Sequence, residues 1–191
     1  RMCIRDRNYA SEYAVTKLSS VRNGNEQTLV IGKREGAYKD MPLVRPFKVK
    51  VLSSLIPQSV TVNGHPAKYQ YSGEDFALLI DVPAQACDQE KVVKIVYPSE
   101  KVDLNGLLGA SRRIAKSMEQ LKYRNSYIVF KEEFGKMGSL SEAVTYAPSE
   151  MPALIADFWK SYNELPAVLE RQGMKSDLAT WFLQSVCWSK R

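Results

Sequence analysis

The chain has 191 residues, 45% of them hydrophobic and 25% charged, with a net charge of +6. That is room for one large or two small domains, and no run approaches the ~18 apolar residues of a membrane span. The positive balance is spread too evenly for a nucleic-acid surface: residues 1–7 carry +2, residues 8–98 hold 11 basic against 9 acidic side chains, and residues 99–191 hold 13 against 11. Phosphate binding draws on clustered cations, and the densest helical pair, Arg112 and Arg113, has no basic stripe to extend it.

Residues 1–7 show no strand alternation and too little apolar content for a core helix. From Tyr13 to Arg22 the residues read as a strand, and Gln27 to Gly32 as its return. Asn23-Gly24 between them is the dipeptide that favours a type I′ hairpin turn. A polar segment with Gly32, Gly36, Pro42 and Pro46 follows, read as a long connection from Ile31 to Phe47. Phe47, Val49 and Val51 then alternate with Lys48 and Lys50, the mark of a half-buried strand. Val60–Val62 leads into Asn63-Gly64, a second hairpin turn. Lys68–Tyr71 returns with Tyr69 and Tyr71 on one face. Phe76–Val82 is an apolar strand ended by Pro83, and Lys91–Tyr97 alternates up to Pro98. About seven short strands at regular turn spacing predict an antiparallel β-sandwich over residues 8–98.

After Pro98 the period changes. Leu104, Leu107, Leu108, Ser111, Ile114, Ala115, Met118 and Leu121 share one helical face. Ser126 to about Lys136 reads as a second helix with Tyr127, Phe130 and Phe134 on a face and Gly135 and Gly138 beyond its end. Ser139 and Glu142 have capping-box spacing. Ser149 is expected to cap the next helix, with Pro152 in its first turn and Leu154, Ile155, Phe158, Trp159 and Tyr162 on its apolar stripe. Leu165–Gln172 ends at a Gly173 C-cap. Ser176 or Asp177 opens a last helix carrying Leu178, Trp181, Phe182 and Ser185. The fold class is therefore α+β in two segments: a sandwich, then an all-α helical domain over 99–191. The short polar boundary at 98–103 predicts that the two pack together.

Residues able to carry chemistry are few. Sugar hydrolysis by acid and base needs two carboxylates facing one bond; the adjacent pairs are Glu74-Asp75, read as pointing to opposite strand faces, and Glu132-Glu133, read as a solvated helix face. His65 reads as a turn residue, with no nucleophile elbow to serve. Gly32 and Gly36 precede no helix that would receive a phosphate. One histidine and no Cys/His cluster leave no metal site, and no cofactor is expected. Cys87 and Cys187 read as isolated thiols, a disulfide between them having no support from spacing. The aromatics remain: Tyr38, Tyr69 and Tyr71 are the candidate sugar-stacking or packing residues, with Tyr38 read first as a domain-interface residue. Trp159, Trp181 and Trp188 read as helical core.

The pattern Ile31-Gly32-x-Arg34-x-Gly36-x-Tyr38-x-x-Met41-Pro42-x-x-Arg45-x-Phe47, then strands and the run from Ser59 to Gly64, resembles the small β-sandwich that follows the catalytic barrel in glycoside hydrolase family 31, the α-glucosidases, α-xylosidases and relatives. Tyr13-Ala14-Val15-Thr16 matches a similar Tyr-Ala-x-Thr there, and the helical tail is similar to tails on members from gut Bacteroidota. The resemblance implies a parent enzyme that cleaves α-glycosidic bonds with retention through two carboxylates. It also implies that this chain is a non-catalytic C-terminal accessory fragment bracing a barrel whose aspartate motifs are not among these residues. The partners implied are that barrel and a carbohydrate, with no nucleic acid and no membrane, and the location is periplasmic or at the cell surface. In the family a tight acidic turn precedes the strand at Tyr13. Here residues 1–7 stand in its place and resemble a translated transposon-end sequencing adapter, so they are expected to be non-native. The alternative is a free-standing β-sandwich carbohydrate- or protein-binding module with a helical docking tail.

Overall fold

The computed structural model describes residues 13–99, 102–124 and 128–190. The expectations for residues 1–7, for Tyr127 and for the boundary residues Glu100 and Lys101 lie outside them. Eight strands precede six helices among the described residues: β1 Ala14–Asn23, β2 Glu26–Gly36, β3 Val44–Val51, β4 Ser59–Val62, β5 His65–Pro66, β6 Tyr69–Ser72, β7 Ala77–Ala86 and β8 Lys91–Val96. The helices are α1 Leu107–Arg124, α2 Glu132–Gly138, α3 Leu140–Tyr146, α4 Met151–Asn163, α5 Leu165–Gln172 and α6 Ser176–Ser185. The α+β class holds, with one antiparallel sheet in the order β1-β2-β8-β4-β5 and a second in the order β3-β7-β6. Two compact units result: residues 13–50, 56–70 and 78–99 form one, and residues 51–55, 71–77 and the helices form the other.

In the first unit β8 is the central strand of the larger sheet. Val93 and Ile95 are fully buried, while Lys94 between them is exposed, so the alternation read in the sequence is the burial pattern. Asn63 and Gly64 turn with φ of 50° and 82°, the double positive φ that a type I′ turn requires. Asn63 also clamps β8, donating its N–H to the Val92 carbonyl and accepting the Val92 N–H on Oδ1, both at 2.8 Å. The β1–β2 turn differs from expectation. Asn23 pairs with Glu26, which leaves Gly24 and Asn25 as the central residues, and of the two only Gly24 has a positive φ, 60°. That is the requirement of type II′.

β2 runs further than the sequence suggests. Beyond Ile31, where its pairing with β8 ends, it continues against β1 through Thr16–Arg34 and Ala14–Gly36. The long connection therefore shrinks to residues 37–43. Gly32 and Lys33 together oppose Lys17, forming a β-bulge. β7 likewise continues through Pro83 to Ala86. Its neighbour β6 gives out near Lys68, whose carbonyl takes the Asp81 N–H at 3.1 Å. Two residues on, Pro83 faces that same side with no strand to bond, so its missing N–H costs nothing. Phe76 stands before the strand, not in it, because its φ of 46° is left-handed.

Two buried groups organise this unit. Lys91 is 1% exposed, and its ammonium donates to the Ala86 and Gln89 carbonyls at 2.6 Å each, closing the β7–β8 turn. Tyr97 is clasped by the first hairpin: its N–H donates to the Asn25 carbonyl at 2.7 Å, the Asn25 side-chain amide donates to the Tyr97 carbonyl at 3.3 Å, its hydroxyl donates to Gln27 at 3.0 Å, and the Arg22 guanidinium lies 4.7 Å over its ring.

In the helical unit the face of α1 read from the sequence is buried at Leu107, Ser111, Ile114, Met118 and Leu121. Arg113 donates from Nε to the Val186 carbonyl at 2.9 Å, meeting the electronegative C-terminus of α6. Gly173 ends α5 with φ 78°, and the Met174 N–H reaches back to the Leu169 carbonyl as in a Schellman motif. The N-termini differ from expectation. Ser139 turns its hydroxyl to the Gly135 carbonyl at 3.3 Å, so no capping box forms. Residues 148–150 make a single 3₁₀ turn feeding α4, so Ser149 does not cap it; α6 has no side-chain cap either. The second helix runs from Glu132 and includes Gly135 and Gly138, with residues 128–131 outside it; its expected start at Ser126 lies outside the described residues. Extended backbone at Lys131 puts Glu132 and Glu133 in the first turn, where the helix dipole favours them. Gly138 admits Met118 of α1, whose Sδ would lie 2.6 Å from an added Cβ. The three tryptophans are half-buried rather than core, and the indoles of Trp159 and Trp188 donate to the carbonyls of Asp103 and Tyr162.

Two glycine substitutions should act in opposite directions. A Cβ at Gly73 would collide with Thr145 and lie 2.7 Å from the Ser141 carbonyl, backbone that cannot step aside. Gly73→Ala should cost about 1–3 kcal/mol. Gly135 lies inside α2, where an added Cβ would meet only the Phe130 Cβ at an ordinary 4.0 Å, so Gly135→Ala should gain up to about 1 kcal/mol. Thermal denaturation followed by circular dichroism reads both.

Candidate functional site

The segment that carries the sequence pattern is built as a brace. Arg34 sends its backbone N–H to the Cys87 carbonyl at 2.8 Å and its guanidinium to the Pro42 carbonyl at 2.6 Å. The Leu43 carbonyl accepts the Cys87 N–H at 2.8 Å. Gly36 has φ 88°, and a Cβ there would strike the Tyr13 carbonyl oxygen. Gly32 lies against the Lys17 carbonyl at the bulge. Arg45 lies 5.8 Å from the Phe47 ring. Each of these pattern residues thus has a conformational task, and together they fix residues 37–43. That connection presents Tyr38 and Leu43, with Val44 after them, to solvent; Leu43 is 75% exposed.

The other two candidate tyrosines lie two apart on β6, as the alternation implied. The Tyr69 hydroxyl donates to the Pro57 carbonyl at 3.4 Å and its ring is partly open. The Tyr71 hydroxyl donates to the Ser54 carbonyl at 2.8 Å and its ring is half-buried. His65 is exposed beside its turn.

The helical unit holds a groove that sequence reasoning missed. It encloses about 1040 Å³ among α2, α3 and α4, with a floor that includes Met137, Leu140, Leu154 and Phe158. Its rim carries Lys131, Lys136, Lys160 and Arg171 against Glu132, Glu133, Glu150 and Asp157, so the charges balance. Only the Glu132–Lys136 spacing of four could have hinted at it, because the lining comes from separate helices. Glu132 meets Lys136 at 2.5 Å, and Glu133 accepts two bonds from Arg171 at 2.7 and 3.0 Å. Hydrogen bonding to these cations holds both carboxyls below the usual glutamate range. A glycosidase acid needs the opposite shift, so neither glutamate is suited to protonate a leaving group. Asp75 is bound to Arg112 at 2.6 Å, and it shares a turn with Glu74 rather than a strand.

Among the described residues no three His, Cys, Asp or Glu side chains gather to hold a metal ion, and no helix is long and apolar enough to cross a membrane. Cys87 is a buried free thiol and Cys187 an exposed one.

No protein family's profile matches the chain, and no curated protein does. Among solved structures it is similar to the GH31 dextranase FjDex31A of Flavobacterium johnsoniae, in a glucose complex and, as a mutant, in an isomaltotriose complex. Each comparison gives 17% identity and a TM-score of 0.41. The match covers 47% of this chain and 13% of the dextranase. The region is too small and too divergent to bring the dextranase's activity to this chain.

Two measurements follow from this geometry. Gly36→Ala should destabilise the first unit by about 1–3 kcal/mol, since both the positive φ and the carbonyl contact oppose a side chain; faster proteolysis within residues 37–43 would accompany it. Glu133 has a depressed pKa, so its tie to Arg171 is fully present above the usual glutamate value of 4.5 and is lost as pH falls through the lower folded value. Acid unfolding of Glu133→Gln should therefore be less steep with pH than that of the wild type.

Proposed function

We propose that the chain is a non-catalytic accessory segment of a family 31 glycoside hydrolase, resting against the catalytic barrel of its parent enzyme. The observation that carries this reading is the braced connection. Arg34, Gly36 and Cys87 fix residues 37–43, and the apolar side chains so held, Tyr38, Leu43 and Val44, are left open to solvent. Rigid presentation of apolar side chains suits a packing surface for a neighbouring domain. Arg34 and Gly36 are among the residues that carry the family resemblance, which gives Tyr38 the role of an interface residue.

Under the same reading the two sheets face each other as a sandwich. Alternate burial at Val60 and Val62 of β4, Val93 and Ile95 of β8, and Leu78, Ile80 and Val82 of β7 supports one covered face on each sheet. The sandwich occupies residues 8–98 and the helical domain residues 99–191. The parent cleaves α-glycosidic bonds with retention, the partners are its barrel and, through it, a carbohydrate, and the location is periplasmic or cell-surface.

The purified chain should turn over no α-glycoside. An assay with aryl α-glucosides, aryl α-xylosides and isomaltose reads this directly. Measured turnover that survives repurification and tracks the protein would overturn the proposal.

A further inference from the structure

β1 is an edge strand of ten residues, with β2 on one side and no described strand on the other. It is more apolar than an open edge usually allows: Val15, Leu18 and Val21 are 43%, 73% and 56% exposed. Unpaired edges invite strand addition, and natural proteins blunt them with charge, proline or brevity. This one has a single lysine, Lys17, along its middle.

The backbone shows which residues are free to pair. The carbonyls of Tyr13 and Lys17 both press on β2, at Gly36 and Gly32. Asn23 and Glu26 flank a two-residue turn, where the flanking residues exchange bonds. Odd-numbered residues therefore spend their N–H and C=O groups on β2. Ala14, Thr16, Leu18, Ser20 and Arg22 direct theirs to the open edge.

We propose that this edge pairs antiparallel with β1 of a second copy of the chain, Leu18 opposite Leu18, on a two-fold axis. Two identical antiparallel strands can bond only in registers that place an outward residue opposite an outward residue. Among these, the axis through Lys17 sets two lysines against each other, which destabilises. The axis through Ser19 sets Lys17 against Val21, and Leu18 against Ser20. The axis through Leu18 alone matches all three exposed apolar residues with apolar ones: Leu18 meets Leu18, and Val15 meets Val21 in both directions. Lys17 then faces Ser19 and Arg22 faces Ala14, so no like charges oppose. All five outward residues find partners, for about ten backbone hydrogen bonds. The self-complementarity is what names a second copy as the occupant, since an isologous dimer needs a patch that fits itself.

Sedimentation velocity of the full chain, from low to high micromolar concentration, tests it with two charge variants. The wild type should pass from monomer to dimer. Leu18→Lys and Leu18→Glu, each verified as folded by circular dichroism, should each weaken dimerisation roughly tenfold or more, and their equimolar mixture should recover it through a Lys–Glu pair. A wild type that stays monomeric throughout overturns the proposal. So does a dimer indifferent to either variant, or a mixture that fails to recover.

Discussion

A carbonyl oxygen with no room in front of it sets the geometry of the first unit. The Tyr13 carbonyl reaches β2 where only Gly36 fits, and the Lys17 carbonyl does the same at Gly32. These two approaches let β1 and β2 run on together past the end of β8, through a bulge that adds local twist. Two consequences follow from one constraint. At the far end of β2 the chain leaves Gly36 in a left-handed conformation and enters the connection that Arg34 and Cys87 hold. Along β1 the inward commitment of alternate residues leaves the other alternate set facing the open edge.

The helical unit depends on a different kind of contact. Its helices are short, all but α1 at 13 residues or fewer. Helices of that length have little stability alone in water and hold through packing. The packing combines a mostly aliphatic core with aromatic contacts: Phe134 meets Phe182 at 5.2 Å edge to face, and Phe158, Trp159 and Tyr162 form a cluster. Several helix ends are tied by side chains from other elements, as Arg113 ties α6, while α5 closes through its own Gly173 cap. Lys131 donates to the Arg171 carbonyl near the end of α5, and Gln172 bonds the Lys131 N–H in return.

Much of this was legible where chemistry is local. Asn63-Gly64 and Gly173 announce their conformations because only such residues take positive φ cheaply, and the alternation of β3 and β8 is visible because one face of β3 is half-buried and one face of β8 is buried. The misreadings share a cause: a distant residue decided the outcome. Pro83 continues a strand because β6 has already ended. Ser139 fails to cap because the Gly135 carbonyl takes its hydroxyl. Gly138 sits inside α2 because Met118 needs the space. The groove among α2, α3 and α4 was invisible for the same reason, and the three candidate tyrosines could be placed on their elements but not assigned an environment.

The accessory reading is tested most directly by the DNA that encodes the residues upstream of Asn8. The account expects a reading frame that enters Tyr13 through a tight acidic turn, preceded by a barrel carrying two catalytic aspartates and lacking the sequence of residues 1–7. A secretion signal or an unrelated small domain directly before Tyr13 would contradict it, and the braced connection with Tyr38 would then belong to a free-standing binding module.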